Sequence, residues 1–243
     1  MGAVNSLKCE GSYKIAIFLE RPNRFLAKVN LAAEGAEERI VEVHVPDPGR
    51  LKEILLPNTE VVLRESTNLT RKTRYSLVGV KTGNVWVNID SHISNRLFKK
   101  EFRILPQFSN YNIKQSEYSF GNSRFDFLMS DRKSKHHALV EVKSVTLVQN
   151  RQALFPDAPT KRGTKHLIDL SKAIEKQFKA FIVFIVKRND VDSLSPNKKM
   201  DPTFTSALSK SIKSGVQVCT VKCIYDPIIK RELKIVEEIP FIA

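Results

Sequence analysis

A chain of 243 residues, 42% hydrophobic and 27% charged, can bury one large core or two modest ones, which excludes the disordered classes. Its longest apolar run, AFIVFIV at 180–186, is far too short for a membrane-spanning helix. Forty Lys and Arg against 26 Asp and Glu give +14, unevenly placed: residues 1–80 hold 12 basic and 10 acidic side chains, residues 81–243 hold 28 and 16. The second part is therefore +12, a charge that suits a polyanion such as nucleic acid, or equally a solvated basic surface kept for solubility. No charged-then-apolar leader opens the chain. MGAVNS matches the N-myristoylation pattern but has no polybasic second signal and reads as chance, so a cytoplasmic location is expected. Cys9, Cys219 and Cys223 form neither a CxxC pair nor a zinc-site spacing, and read as small buried hydrophobes in a reducing compartment.

In chain order, strand-like segments come first: 13–20, 24–32, 39–45, 60–66 and 74–81. Loops with turn chemistry separate them, notably PDPGR at 46–50, and GRLKEILL reads as one short helix or turn. So many short strands in under ninety residues predict a small β-barrel. The texture changes after VWVNIDS at 85–91, and the domain boundary is expected between residues 82 and 83. HISNRLFKKEF places Ile93, Leu97, Phe98 and Phe102 at helical spacing with basic residues between them. Two strand-like stretches follow, QSEYSFGNSRFDFLMS and HALVEVKSVTL. TKRGTKHLIDLSKAIEKQF predicts a helix with Leu167, Leu170, Ile174 and Phe178 as its apolar stripe and Thr160 as N-cap. After the buried strand AFIVFIVKR, a second helix has Pro202 near its start and Gly215 past its end. VQVCTVKCIY and RELKIVEEIP read as closing strands. Strand–helix alternation after residue 128 predicts an α/β domain with at least two parallel neighbours.

The chemistry concentrates around Asp126. Gly121-Asn122 flanked by alternating residues is a two-residue hairpin signal of the II′ kind, which pairs Phe120 with Ser123 and, counting back, Glu117 with Asp126. Uninterrupted alternation would then put Tyr118, Phe120, Phe125, Phe127 and Met129 on one face, and Glu117, Ser119, Arg124 and Asp126 on the other. In the next strand Val140 and Val142 share one face, Glu141 and Lys143 the opposite one. Side by side, these strands would bring three carboxylates and a lysine to one patch, and facing carboxylates repel unless a cation or proton sits between them. Carboxylate oxygens are what Mg²⁺ or Mn²⁺ prefers, and a lysine beside them can orient or deprotonate a water or contact a phosphate. The other reading of an E-x-K strand is a solvated, salt-bridged face. Arg162, Lys165 and His166, with Lys161, open the following helix, either as phosphate contacts or as a solvated basic turn; His166 fits a packed polar residue as well as a catalytic one. Arg24 and Phe25 in the barrel could offer charge and a stacking face to a single strand, with Phe25 alternatively in the core.

Several segments resemble the sugar fermentation stimulation protein A (SfsA) family: SRFDFLM followed by VEVKSVTL, then ALFPDAPTKRGTKHLIDL, together with RPNRFLAKVN, VHVPDPGRLKEIL and SLSPNKKMDPTFTSALSKSIKSGVQV. The likeness runs over nearly the whole chain. It implies an α/β, overall α+β, protein: an OB-like barrel over residues 1–82, then a restriction-endonuclease-like PD-(D/E)XK mixed sheet with flanking helices over 83–243. It further implies Asp126 and Glu141 as the motif acids and Mg²⁺ or Mn²⁺ ligands, Lys143 as the motif lysine, and Glu117, with Glu101 a weaker candidate, as the additional acid. DNA is the implied partner, with Arg124, Arg162, Lys165, His166, Arg24 and Arg50 as candidate contacts. The implied activities are metal-dependent phosphodiester hydrolysis or, alternatively, non-catalytic regulation of sugar metabolism genes. At 46–49 the chain departs from the pattern, carrying Asp47 where an amide is expected.

Overall fold

The computed structural model describes residues 6–31, 37–68, 70–134 and 136–243. Most of the MGAVNS match, and the last residue of the strand expected at 24–32, lie outside the described residues. Strand β1 (Leu7–Lys8) joins the second domain's sheet, whereas β2 (Tyr13–Asn23), β3 (Leu26–Asn30), β4 (Ile40–His44), β5 (Glu60–Glu65), β6 (Tyr75–Thr82) and β7 (Val85–Asn88) form the first. Their order is β4-β3-β2-β5-β6-β7, and a parallel bridge from His44 to Ser76 closes five of them into a barrel. This is an OB domain. Its interior is filled by β-branched and leucine side chains at alternate positions, among them Val29, Val43, Val61 and Leu77, all with no exposed surface. The sheet does not stop at residue 82. Gly83-Asn84 makes a tight turn, and β7 pairs back onto β6 from Val85 to Asn88. GRLKEILL forms turns, not a helix.

The second domain is built on a seven-stranded mixed sheet. Helix α1 (Ile93–Glu101) leads into β8 (Tyr111–Phe120), β9 (Ser123–Asp131) and β10 (His137–Val145). Two short strands, β11 (Val148–Gln149) and β12 (Gln152–Phe155), precede α2 (Lys161–Glu175), β13 (Lys179–Val186) and β14 (Ser193–Pro196). Helix α3 (Pro202–Lys213), β15 (Gln217–Asp226) and β16 (Glu232–Glu238) complete the chain. The sheet order is β1-β16-β15-β13-β10-β9-β8, with β11, β12 and β14 in a small separate sheet that the residue pattern did not announce. β10, β13 and β15 run parallel, as the strand–helix alternation requires, and the outer strands are antiparallel. α1 covers one face through Ile93, Leu97 and Phe98, while α2 and α3 cover the other through Leu167, Leu170, Phe204 and Leu208. Cys219 and Cys223 are free thiols buried in the α1-side core, as is Cys9.

The helix ends follow their caps. Thr160 Oγ1 accepts from Gly163 N at 3.0 Å, and Asp201 caps α3 by accepting from Phe204 N at 2.8 Å. Asp201 also accepts from Thr160 N at 2.8 Å, so one carboxylate ties both helix starts together. The domains touch through β7 and β15. Gly79 lies so close to the Tyr225 ring that a Cβ there would come within 2.8 Å of it.

Candidate metal and nucleic-acid site

The site begins where two strands part. β9 and β10 pair as far as Val140 with Phe127 and then separate. In the fork, Asp126 replaces the missing ladder carbonyl: its Oδ2 accepts from Val142 N at 2.7 Å, and its Oδ1 accepts from Asn95 Nδ2 of α1 at 2.6 Å. Burial, and after it the charge of Glu141, raise the Asp126 pKa to about 6.

Glu141 lies on the opposite face of β10 from Val140 and Val142, as alternation requires, but that face is covered by α2 and is not open to solvent. Its Oε1 faces Lys143 Nζ at 2.5 Å and His166 Nδ1 at 2.6 Å. Burial alone would push its pKa up; Lys143 and His166 outweigh burial and hold the carboxyl below its ordinary value. Oε2 is buried and has no partner among the described residues. His166 is itself 4% exposed, packs edge-on against Phe125, and has Arg162 Nε 3.4 Å from its Nε2. It is therefore a partner of Glu141 and not a surface contact for nucleic acid.

Of the four charged side chains expected to meet, Lys143 contacts Glu141, Asp126 feels the charges of both, and Glu117 does not join them. Its φ of 55° is left-handed, and the hairpin kinks there: Tyr118, Phe120 and Phe125 pack toward α2, Phe127 and Met129 toward α1. The single-face assignment of these aromatics fails on β9 as well, where Phe125 and Phe127, two residues apart, pack into cores on opposite sides of the sheet. The turn itself has the expected form, with Gly121 at φ 57° and Phe120 paired with Ser123. Glu117 is exposed, 3.5 Å from the equally exposed Arg124. Glu101 is also elsewhere, at the far end of α1, where it accepts from Ile235 N at 2.8 Å.

The remaining basic candidates are scattered. Lys165 is held by the hairpin turn, donating to Asn122 O and to Ser123 Oγ at 2.9 Å. Arg24 and Arg50 line a cleft of about 510 Å³ beside the barrel. Residue patterns missed Asn95, which has no signal beyond being a polar residue in an amphipathic helix. They also missed Arg21, whose guanidinium donates to the carbonyls of Arg24, Asp47, Gly49 and Arg50 and so fixes the 46–50 loop.

The charge of Glu141 reaches Asp126 and helps raise its pKa, and among the described residues no group of three or more His, Cys, Asp or Glu is arranged to hold a metal ion. Mg²⁺ commonly needs only one or two carboxylates, and the unpartnered Glu141 Oε2 is the kind of oxygen it takes, so the residues present fit such an ion. Among the described residues no helix is long and apolar enough to cross a membrane.

Residues 19–89 match the model of the SfsA N-terminal OB domain, and residues 91–228 that of the sugar fermentation stimulation protein RE domain. A sugar fermentation stimulation protein homolog of Clostridium tetani is 40% identical over 228 residues, covering 92% of this chain and 96% of the relative. One from Clostridium novyi is 44% identical over 212 residues, covering 86% and 89%. The solved structure of Pyrococcus furiosus SfsA in complex with Ca²⁺ superposes with a TM-score of 0.86 at 28% identity, over 99% of this chain and 100% of that one. With both domains matched in order and the likeness running almost end to end, the chain belongs to the sugar fermentation stimulation protein A family.

Proposed function

We propose that the chain is a DNA-binding, divalent-metal-dependent nuclease that hydrolyses phosphodiester bonds at the Asp126–Glu141–Lys143 centre. The observation that carries this reading is Glu141, a buried carboxylate with one oxygen held by two donors and the other left open. A buried anionic oxygen without a partner is unfavourable by itself, and a hard cation is the partner that would satisfy it. Asp126 and Glu141 would hold Mg²⁺ or Mn²⁺, and the bound ion supplies a more acidic water and charge compensation on the phosphodiester. The chain's own groups do the rest. Asn95 and Val142 N fix Asp126, while His166 and Lys143 fix Glu141. Lys143, 15% exposed, can hold the attacking water or a phosphate oxygen. The +12 of residues 81–243 supports a polyanionic substrate. The Pyrococcus furiosus relative was solved with Ca²⁺, a hard cation with the same taste for oxygen ligands, which supports the divalent-metal part of the reading.

The test is incubation of purified protein with duplex DNA, single-stranded DNA and RNA in Mn²⁺. Cleavage of DNA is expected, abolished by EDTA and reduced about 100-fold or more in Asp126→Ala and Glu141→Ala. No cleavage by the wild type, or undiminished cleavage in both variants, overturns the catalytic reading. DNA retention that survives EDTA without cleavage would favour the non-catalytic regulator.

A further inference from the structure

The barrel and α1 enclose a cleft of about 930 Å³ that does not contain the Asp126 centre. Phe25 stands at one wall, at the tip of the β2–β3 hairpin. The residue is 60% exposed, yet its backbone is fixed: its N donates to Asn23 Oδ1 and its carbonyl accepts from Val45 N, both at 2.9 Å. An aromatic side chain standing in solvent on an anchored backbone offers a ring face for stacking, with no backbone ordering left to supply on binding. Facing it are Arg71 and Lys72 from the loop before β6, and Arg96 from α1. The cleft's one carboxylate, Asp90, is already paired with Arg64 at 3.1 Å, while Lys72 and Arg96 make no ion pair with any described residue. α1 is the shared wall: Arg96 lines the cleft, and the preceding residue, Asn95, holds Asp126.

We propose that this cleft is the track for a single-stranded polynucleotide, with Phe25 stacking on an unpaired base, Arg71, Lys72 and Arg96 following the phosphates, and α1 delivering the strand to the Asp126 centre. The last clause rests on the nuclease reading; the track itself does not. A duplex keeps its base faces stacked inside and offers the ring nothing, so an exposed aromatic among cations selects for unpaired bases.

The test measures binding by fluorescence anisotropy in EDTA, with labelled oligothymidylate, oligouridylate and a mixed-sequence duplex. Phe25→Ala should weaken single-strand binding about tenfold and leave duplex binding unchanged, with Phe25→Tyr restoring it. Lys72→Ala should make the slope of log K against log salt shallower by about 0.7 on single strands. Phe25 dependence in either single-strand arm supports the track and shows which sugar it takes. Dependence in neither arm, equal loss on the duplex, or a Phe25→Tyr variant as weak as Phe25→Ala overturns it. The two readings separate cleanly. Protein that never cleaves in Mn²⁺ but shows Phe25 dependence keeps the track and loses the nuclease. Asp126-dependent cleavage with Phe25-independent binding does the reverse.

Discussion

Glu141 is the residue on which the site turns, and its neighbours explain why a charge interrupts a buried strand. Alternation correctly separated Glu141 and Lys143 from Val140 and Val142, because β10 is paired with β13 without a register shift from Ala138 to Val145. The same logic misplaced Glu117, since a non-glycine residue at φ 55° is rare and leaves no mark in the residue pattern. The residue pattern leaves His166 two readings, and the structure pairs it with Glu141 at 2.6 Å. With Oε1 anchored on His166 and Lys143, Oε2 is the oxygen left for the proposed ion. Replacing His166 with Ala should therefore weaken Mn²⁺ binding about 10- to 100-fold, as removal of an outer partner of a metal ligand does. Isothermal titration calorimetry without nucleic acid reads this directly. Unchanged Mn²⁺ affinity would leave His166 a packing residue only.

Among the elements, helices and parallel strands were legible because their signals are local: a 3.6-residue stripe, Thr160 and Pro202 at helix starts, Gly215 past an end. Strands such as β7, β11, β12 and β14 were not, because two to four residues are too few to show a period. α1 shows what periodicity leaves out. Glu101 occupies its buried face at 1% exposure, among apolar residues and close to Cys223. Burial raises its pKa to about 7, against the opposing pull of the Ile235 N–H that it accepts. Its folded pKa lies above the unfolded value of 4.5, so the folded state binds more protons between these values and stability falls as pH rises through that window. The penalty is complete above about pH 7 and absent below about pH 4. Glu101→Gln keeps an acceptor for Ile235 N and removes the charge. It should stabilise the protein by up to about 3 kcal/mol near pH 8 and by almost nothing near pH 4. Urea unfolding at both pH values checks this; an equal effect at both would mean that Glu101 is not charged at a cost in the fold.

At the scale of the whole molecule, the barrel and the second domain meet over a buried cation. Lys187 follows β13 with no exposed surface; its Nζ donates to Asp90 O at 3.1 Å and lies 3.8 Å from Asp47 Oδ2. Its backbone spans the same joint, with its carbonyl accepting from Asn88 N at 3.2 Å and its N–H donating to Val145 O at 2.9 Å. Burial pulls the Lys187 pKa down, and Asp47 is foremost among the charges that oppose this. Asp47 is the position where an amide was expected. An amide there could still accept from Gly49 N, as Asp47 Oδ1 does at 2.8 Å, so it is Lys187 that needs the negative charge. Removing one member of a buried pair strands the other, typically at about 3–5 kcal/mol, whereas replacing both costs far less. Asp47→Asn and Lys187→Met should each destabilise by an amount approaching that range, and the double variant by clearly less than their sum. Because the pair bridges the domains, Asp47→Asn alone should also broaden or split the urea transition, with the barrel and the second domain losing structure at different denaturant concentrations. Strict additivity in the cycle, with one unchanged transition throughout, would show that packing such as Gly79 against Tyr225 joins the domains without help from the charge pair.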